Sequence, residues 1–127
     1  MRQNFPDLEV IVLNDGLEND AKIVCAKYGE RVQCVWTGRT KQNNSLWRVP
    51  GYALNIGARK AKGQMIILTS AEIWHVDDCL QKLVETVQKE HKALAITNGY
   101  DDESGEVLKA LQNNTPLLKN AKKAPWL

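Results

Sequence analysis

The chain has 127 residues, of which 43% are hydrophobic and 25% are charged. This composition is typical of a folded domain, and it excludes an intrinsically disordered chain and a disulfide-stabilised miniprotein. A net charge of +2 is too small to indicate a nucleic-acid partner, so none is expected. The three cysteines contain no CxxC pair, and no apolar run approaches the roughly 20 residues that span a bilayer. We expect one soluble, cytoplasmic domain over residues 1–127 with reduced thiols.

The chain begins with a predicted strand, loop and helix. Residues 8–13 form an almost continuous apolar run rich in β-branched side chains, which is typical of a strand buried on both faces. The run ends at an Asn-Asp-Gly turn sequence, residues 14–16. Apolar residues then recur at helical spacing, with Asn19 or Asp20 available as the N-cap and Gly29 as the stop signal.

The same order follows a second time. Residues 32–36 predict a second strand, and a polar loop covers residues 37–44. From Pro50 the pattern becomes helical, and Gly63 is the expected end of this helix. Small residues stack on one of its faces, which would let it lie close to a sheet. They are Ala53, Gly57 and Ala61.

The second half of the chain predicts two more strands around an amphipathic helix. The apolar residues 65–68 and 94–96 are the expected third and fourth strands, and residues 101–105 the expected turn. Asp77 and Asp78 are well placed for the dipole of the helix between these strands. The apolar stripe of this helix consists of Cys79, Leu80, Leu83, Val84 and Val87. After residue 107 the signals weaken.

Strands that alternate with helices predict an α/β fold with a mostly parallel sheet. Ligands of such sheets bind beyond the carboxyl ends of the strands. Two loops with acidic residues follow predicted strands, at residues 14–16 and 70–72. These two loops are therefore the expected site.

Two segments resemble the family-2 inverting glycosyltransferases. Residues 9–20 are similar to that family's strand and loop EIIVVDDGSxD, and Asn55-x-Gly57-x-x-x-Ala61-x-Gly63 matches its helix NxGxxxAxG. An apolar strand and an acidic triplet follow in the expected order. The resemblance covers roughly residues 5–90, and it implies a GT-A fold, a Rossmann-like core that binds a nucleoside-diphosphate sugar of the UDP or GDP type.

By this resemblance the loop after the first strand would bind the nucleotide. Asp15 would accept a hydrogen bond from a base N–H, and Gly16 would allow close approach of the backbone. Considered alone, the Asn-Asp-Gly sequence at residues 14–16 predicts only a turn. The matching helix motif downstream favours a nucleotide-binding loop instead. The contacts expected for the nucleotide come from Asn14, Asp15, Gly16, Arg48 and Asn55. The family often has an arginine before the helix asparagine, where this chain has Leu54. Arg48, Arg39 or Lys41 could supply that charge, and Arg48 is the best placed of the three by sequence.

The family's metal motif, Asp-x-Asp, is replaced here by Ser70-Ala71-Glu72. Glu72 can still offer oxygen to Mg²⁺ or Mn²⁺, and Ser70 can contribute a hydroxyl or contact a metal-bound water. His75 is a further candidate ligand, although a lone histidine before a helix is more often a cap or surface residue. Alternatively, metal dependence is reduced and basic groups neutralise the diphosphate.

The resemblance predicts a domain that is incomplete at both ends. Family members have a strand and helix before the segment at residues 9–20, and residues 124–127 resemble the PFL segment that leads into the acceptor half. The four candidate acidic residues sit in helix-cap or turn contexts, so we assign no catalytic base and expect little transfer by the chain alone. They are Asp77, Asp78, Asp101 and Asp102.

Two further functions remain open. The first is a degenerate, non-catalytic module of the same fold, favoured by Ser70 where the family has an aspartate. The second is a flavodoxin-like regulatory domain, which the NxGxxxAxG helix argues against. The acceptor, a glycan or another hydroxyl compound, is not specified by these residues, and an open sheet edge would allow a homo-oligomer.

Overall fold

The structure is a computed structural model, and it describes residues 5, 7–43, 49–75, 78–90, 94–97, 99 and 102–113. The chain divides into two compact units. The sheet unit is Pro6–Ile73, and the helical unit is Met1–Phe5 together with Trp74–Leu127.

The sheet unit is built on two parallel strands. β1 (Val10–Asn14) pairs with β2 (Val32–Trp36), and helix α1 (Lys22–Ala26) and a 3-10 turn (Gly29–Arg31) lie between them in the chain. The register places Val10 beside Val32 and continues to Asn14 beside Trp36. β2 is confirmed with the predicted bounds, whereas β1 lies at residues 10–14 and not at 8–13. The side-by-side strand ends bring the residues after Asn14 next to those after Trp36.

The predicted cap of α1 was wrong. Ala21 occupies the N-cap position without a side-chain cap hydrogen bond. The Asp20 carboxylate instead accepts a hydrogen bond from the Leu17 N–H at 2.7 Å, so it belongs to the loop that precedes the helix. Cys25 is the buried residue of α1, and Gly29 has φ +67, a left-handed conformation that favours glycine after a helix.

Helix α2 (Pro50–Lys60) packs on β1. Proline fits its first turn, because the N–H groups there have no partner within the helix. Gly57 is buried, and a Cβ atom at this position would lie 2.7 Å from Leu13 Cδ1. This close approach confirms the predicted small-residue contact at Gly57, whereas Ala61, predicted on the same face, lies beyond the end of α2. The helix ends before the predicted Gly63, because the backbone of Ala61 is extended.

Glu9 fixes the segment that follows α2. Its Oε1 accepts hydrogen bonds from the backbone N–H groups of Lys62, at 2.6 Å, and Gly63, at 3.0 Å. The start of β1 is thereby tied to the end of the helix that covers it. This long-range contact satisfies two backbone donors in an irregular segment.

The third and fourth predicted strands were wrong. Neither residues 65–68 nor residues 94–96 are in a strand, and β1 and β2 make up the sheet found among the described residues. Apolar composition predicts burial, but a strand also needs a hydrogen-bonded neighbour. Several apolar side chains of the two segments are instead more than half exposed. They are Ile66, Leu68, Leu94 and Ile96.

The helical unit contains α3 (Cys79–Lys89) and α4 (Glu106–Gln112). The predicted stripe of α3 is confirmed, since Leu80 and Val84 are buried. Asp78 is its N-cap residue but makes no side-chain cap hydrogen bond. No helix in the described ranges has the length and apolar character needed to cross a bilayer.

Helix α4 was missed by the sequence analysis. The Asp102 carboxylate accepts hydrogen bonds from the N–H groups of Val107, at 3.1 Å, and Leu108, at 2.8 Å. Ser104 Oγ accepts one from the Glu106 N–H at 3.3 Å. Aspartate and serine just before a glutamate are a helix-start signal, and this signal within residues 101–105 could have revealed the helix.

Candidate functional site

The loop after β1 is organised by Asn14. The residue is 6% exposed, its Nδ2 donates to the Leu17 carbonyl at 2.7 Å, and its Oδ1 accepts from the Gly16 N–H at 2.9 Å. Both ends of the amide are therefore used inside the loop. Asn14 shapes the backbone around Asp15, and the predicted contact of Asn14 with a nucleotide stays a prediction.

The packing around Gly16 leaves no room for a side chain. A Cβ atom there would lie 3.1 Å from Asn14 Oδ1 and would collide with the Asp20 carboxylate. The same carboxylate accepts the Leu17 N–H, so the acidic group cannot simply turn away without losing that bond. Any larger residue at position 16 would disturb the loop that carries Asp15.

Two hydrogen bonds join this loop to the end of β2. The Thr37 N–H donates to the Asn14 carbonyl at 3.1 Å, and Trp36 Nε1 donates to the Gly16 carbonyl at 3.2 Å. Trp36 is the last residue of β2, so its indole reaches the loop after β1 from the neighbouring strand end. The two strand ends thus form one hydrogen-bonded surface.

The Asp15 carboxylate is held on both of its oxygens. Oδ1 accepts a hydrogen bond from the Thr37 hydroxyl, and Oδ2 accepts one from Arg39 Nη2 at 2.8 Å. The Arg39 side chain is 13% exposed and that of Asp15 is 30% exposed. A charge-assisted pair of this kind fixes the carboxylate in one orientation. We call Asp15, Thr37 and Arg39 the carboxylate clamp.

The loop after β2 has its own internal bonds, which position Arg39. Gly38 has φ +85, a conformation that few other residues adopt. Asn43 then bridges the loop, since its Oδ1 accepts the Thr40 N–H at 2.7 Å and its Nδ2 donates to the Gly38 carbonyl at 3.3 Å. The polar loop predicted over residues 37–44 is therefore ordered around Arg39 through residue 43.

Helix α2 contributes Tyr52 and Asn55 to the same unit. Tyr52 Oη donates to the Thr37 carbonyl at 3.5 Å, which connects the first turn of α2 to the clamp. Asn55, a predicted nucleotide contact, is exposed on α2. Arg48, the cation that the sequence favoured, lies outside the described residues.

The predicted metal ligands do not form a complete set. Ser70 and Glu72 are exposed in a turn closed by the hydrogen bond from the Ile73 N–H to the Ser70 carbonyl, at 3.2 Å. His75 belongs to the helical unit, where its Nδ1 is 3.8 Å from Cys79 Sγ. Within the ranges that the structure describes, no three His, Cys, Asp or Glu side chains are grouped to hold a metal ion. A metal here would need further ligands from a substrate.

The sequence profile described as Glycosyl transferase family 2 matches residues 1–126. The chain belongs to glycosyl transferase family 2. The comparisons with curated proteins and with solved structures each gave no match. Family membership confirms the resemblance stated on residues 9–20 and on the helix motif.

Membership in glycosyl transferase family 2 supports glycosyl transfer as the general activity. It also implies a GT-A-type, Rossmann-like α/β fold. The parallel pair β1–β2 with flanking helices is compatible with that fold. The roles of individual site residues are not fixed by membership, because function depends on the site and not on the fold alone.

The sequence by itself did not predict a role for Thr37, and it offered Arg39 only as an alternative to Arg48. The strand register contained the missing signal. Asn14 lies beside Trp36, so Asp15 must lie near Thr37, and Arg39 follows two residues later. Because the two strands are parallel and in this register, their ends are adjacent. The residues of the carboxylate clamp follow these two ends and therefore lie close together.

Proposed function

We propose that this glycosyl transferase family 2 chain binds a nucleoside-diphosphate sugar at the carboxyl ends of β1 and β2, as the donor for inverting transfer to an acceptor hydroxyl. The observation that supports the proposal most strongly is the carboxylate clamp. Asp15 is an oriented, partly exposed acceptor at the strand ends, the position where parallel α/β sheets bind their ligands.

The chemistry of Asp15 favours particular bases. An ionised carboxylate is an acceptor only, so it pairs with a base that presents a ring N–H. Uracil and guanine each carry a ring N–H on the edge that forms base pairs, whereas adenine and cytosine carry an unprotonated nitrogen there. A UDP or GDP sugar is therefore the expected donor.

The metal part of the proposal rests on Glu72. Mg²⁺ is commonly held by one or two carboxylates together with substrate phosphates, so a single exposed carboxylate fits a site that the diphosphate completes. Ser70 would contact a metal-bound water. When bound, Mg²⁺ or Mn²⁺ would neutralise charge on the departing diphosphate.

Transfer itself would be a single displacement. The acceptor hydroxyl loses its proton to a carboxylate base and its oxygen attacks the anomeric carbon, while the bond from that carbon to the diphosphate oxygen breaks. We assign no base within this chain and expect it to show little transfer by itself. Ser70 in the place of an acidic residue supports a second candidate function, a non-catalytic module that binds the same donor.

Calorimetric titration of the purified chain with UDP, GDP and their sugars, with and without Mn²⁺, tests the binding proposal. We expect saturable binding that Asp15→Asn weakens at least about tenfold, the loss expected for a hydrogen bond to a charged group. Glu72→Gln should remove only the Mn²⁺-dependent part. Asp7→Asn and Glu103→Gln remove exposed carboxylates elsewhere and serve as matched controls.

The outcomes separate the two candidate functions. Binding with donor turnover that depends on Mn²⁺, however slow, supports the transferase and contradicts the non-catalytic module. A folded chain that binds none of these nucleotides contradicts both.

A further inference from the structure

We infer that Arg39 and Thr37 are positioning residues that set the base selectivity of the site by holding Asp15 in one orientation. This inference rests on the proposed nucleotide binding and deepens it, because it assigns selectivity to two residues that do not themselves have to touch the base.

The first support is the burial of the pair. An arginine is almost never buried unless it is paired, and Arg39 is paired with Asp15. The Arg39 side chain is 13% exposed, whereas that of Asp15 is 30% exposed. The cation is thus the inner partner and the carboxylate the outer one. Asp15 therefore offers more of its surface to a ligand than the guanidinium does.

The second support is that the two donors act on different oxygens. Thr37 Oγ1 bonds Oδ1 and Arg39 Nη2 bonds Oδ2. A single contact would leave the carboxylate free to rotate about its Cβ–Cγ bond, whereas contacts on both oxygens fix its plane. The direction in which Asp15 can accept a further hydrogen bond is therefore fixed as well.

The third support is the rigidity of the two donors. The Thr37 N–H is bonded to the Asn14 carbonyl at 3.1 Å, and the Thr37 hydroxyl also lies 3.4 Å from that carbonyl. Arg39 follows Gly38, whose carbonyl is bonded by Asn43. A clamp held by backbone and loop bonds keeps its geometry when a ligand binds.

Selectivity follows from this fixed acceptor. Uracil presents its N3–H to a carboxylate, whereas cytosine presents the lone pair of N3, which the carboxylate repels. A carboxylate that can rotate or shift avoids N3 and accepts the cytosine amino group instead. Loss of the clamp should therefore weaken UDP binding and relieve the repulsion of CDP, so the preference for UDP over CDP falls.

The test compares the UDP and CDP dissociation constants of the full chain by calorimetry. We expect a clear preference for UDP in the wild type, and a fall of about tenfold in that preference in Arg39→Met and in Thr37→Val, the effect of one lost hydrogen bond to a charged group. Thr37→Ser keeps the hydroxyl and should restore the wild-type ratio. Arg39→Lys keeps the charge but lacks the planar guanidinium. Its preference for UDP over CDP should therefore lie between those of the wild type and Arg39→Met.

Arg59→Met is the matched control, because Arg59 is an exposed arginine on α2. The ratio of its UDP and CDP dissociation constants should equal that of the wild type. Circular dichroism of each variant establishes that it is folded, and if Arg39→Met does not fold, Thr37→Val against Thr37→Ser decides the question.

Three results would overturn the inference. A wild type that binds neither UDP nor GDP defeats the proposed function and this inference together. A wild type that binds UDP and CDP equally well defeats the inference alone. So does a wild-type UDP preference that persists in Arg39→Met and Thr37→Val, because Asp15 would then select the base without its clamp.

Discussion

Gly57→Ala probes the contact that places α2 on β1. The added methyl group would lie 2.7 Å from Cδ1, 2.9 Å from Cδ2 and 3.2 Å from Cγ of Leu13. The two methyl groups of leucine can rotate away, but Cγ moves only if the side chain changes its χ1 rotamer or the helix shifts. Both adjustments disturb the packing between the helix and the strand that ends at the site.

The expected change in the free energy of unfolding is the difference between two opposing effects. Overpacking of a close contact costs about 1–3 kcal/mol, and replacing glycine by alanine inside a helix returns up to about 1 kcal/mol. Gly57→Ala should therefore destabilise the chain by about 1 kcal/mol. Gly51→Ala is the matched control on the same helix, because a Cβ atom at Gly51 meets nothing within 4 Å, and it should be neutral or stabilising.

Urea unfolding followed by circular dichroism measures both variants. Leu13→Val removes the δ-methyl groups, so the cost of Gly57→Ala should fall in the double variant, which a double-mutant cycle detects. Equal unfolding midpoints for Gly57→Ala and Gly51→Ala would refute the close-approach interpretation. Additive effects of Gly57→Ala and Leu13→Val in the double variant would also refute it.

Three smaller predictions concern other parts of the chain. Glu9→Ala should lower the free energy of unfolding by about 1–2 kcal/mol in urea titrations, because two backbone N–H groups after α2 lose their charged acceptor; an unchanged midpoint would contradict this. The backbone N–H of Leu108, followed by other donors of the same turn, lowers the pKa of Asp102. Its capping of α4 should therefore be complete above the ordinary aspartate pKa of about 4 and lost as pH falls through the lowered value. Hydrogen exchange at Leu108 measures this, and Asp102→Asn should remove the acid dependence. Burial, with a hydrogen bond to Cys25, raises the pKa of the Cys34 thiol, so alkylation of Cys34 at pH 8, followed by mass spectrometry, should be slower than that of free cysteine.

Much of the sheet unit could be predicted from sequence because its signals are local. β2 follows from a short apolar run, and α2 follows from a proline at its start and small residues on one face. The third predicted strand, at residues 65–68, failed for a non-local reason. An apolar run does not specify which strand will pair with it, and in the described residues β1 pairs with β2.

The candidate site was predictable only in part. Asp15 follows from the loop sequence and from the family resemblance, whereas Thr37 and Arg39 depend on the register between β1 and β2. Sequence distance favoured Arg48 because it precedes the helix motif more closely. Arg39 bonds Asp15 because two parallel strands end side by side, which is a property of the pairing and not of either segment alone.

The most direct test of nucleotide binding at the strand ends is an NMR titration of the ¹⁵N-labelled chain with UDP. We predict saturable shifts of the backbone amides of Asp15, Gly16 and Thr37, and of the Arg39 side-chain Nε–H. In Asp15→Asn these shifts should need at least about tenfold more UDP to saturate, whereas in Asp7→Asn they should be unchanged. A well-dispersed spectrum in which these resonances do not move, or move equally in Asp15→Asn, would contradict the central claim.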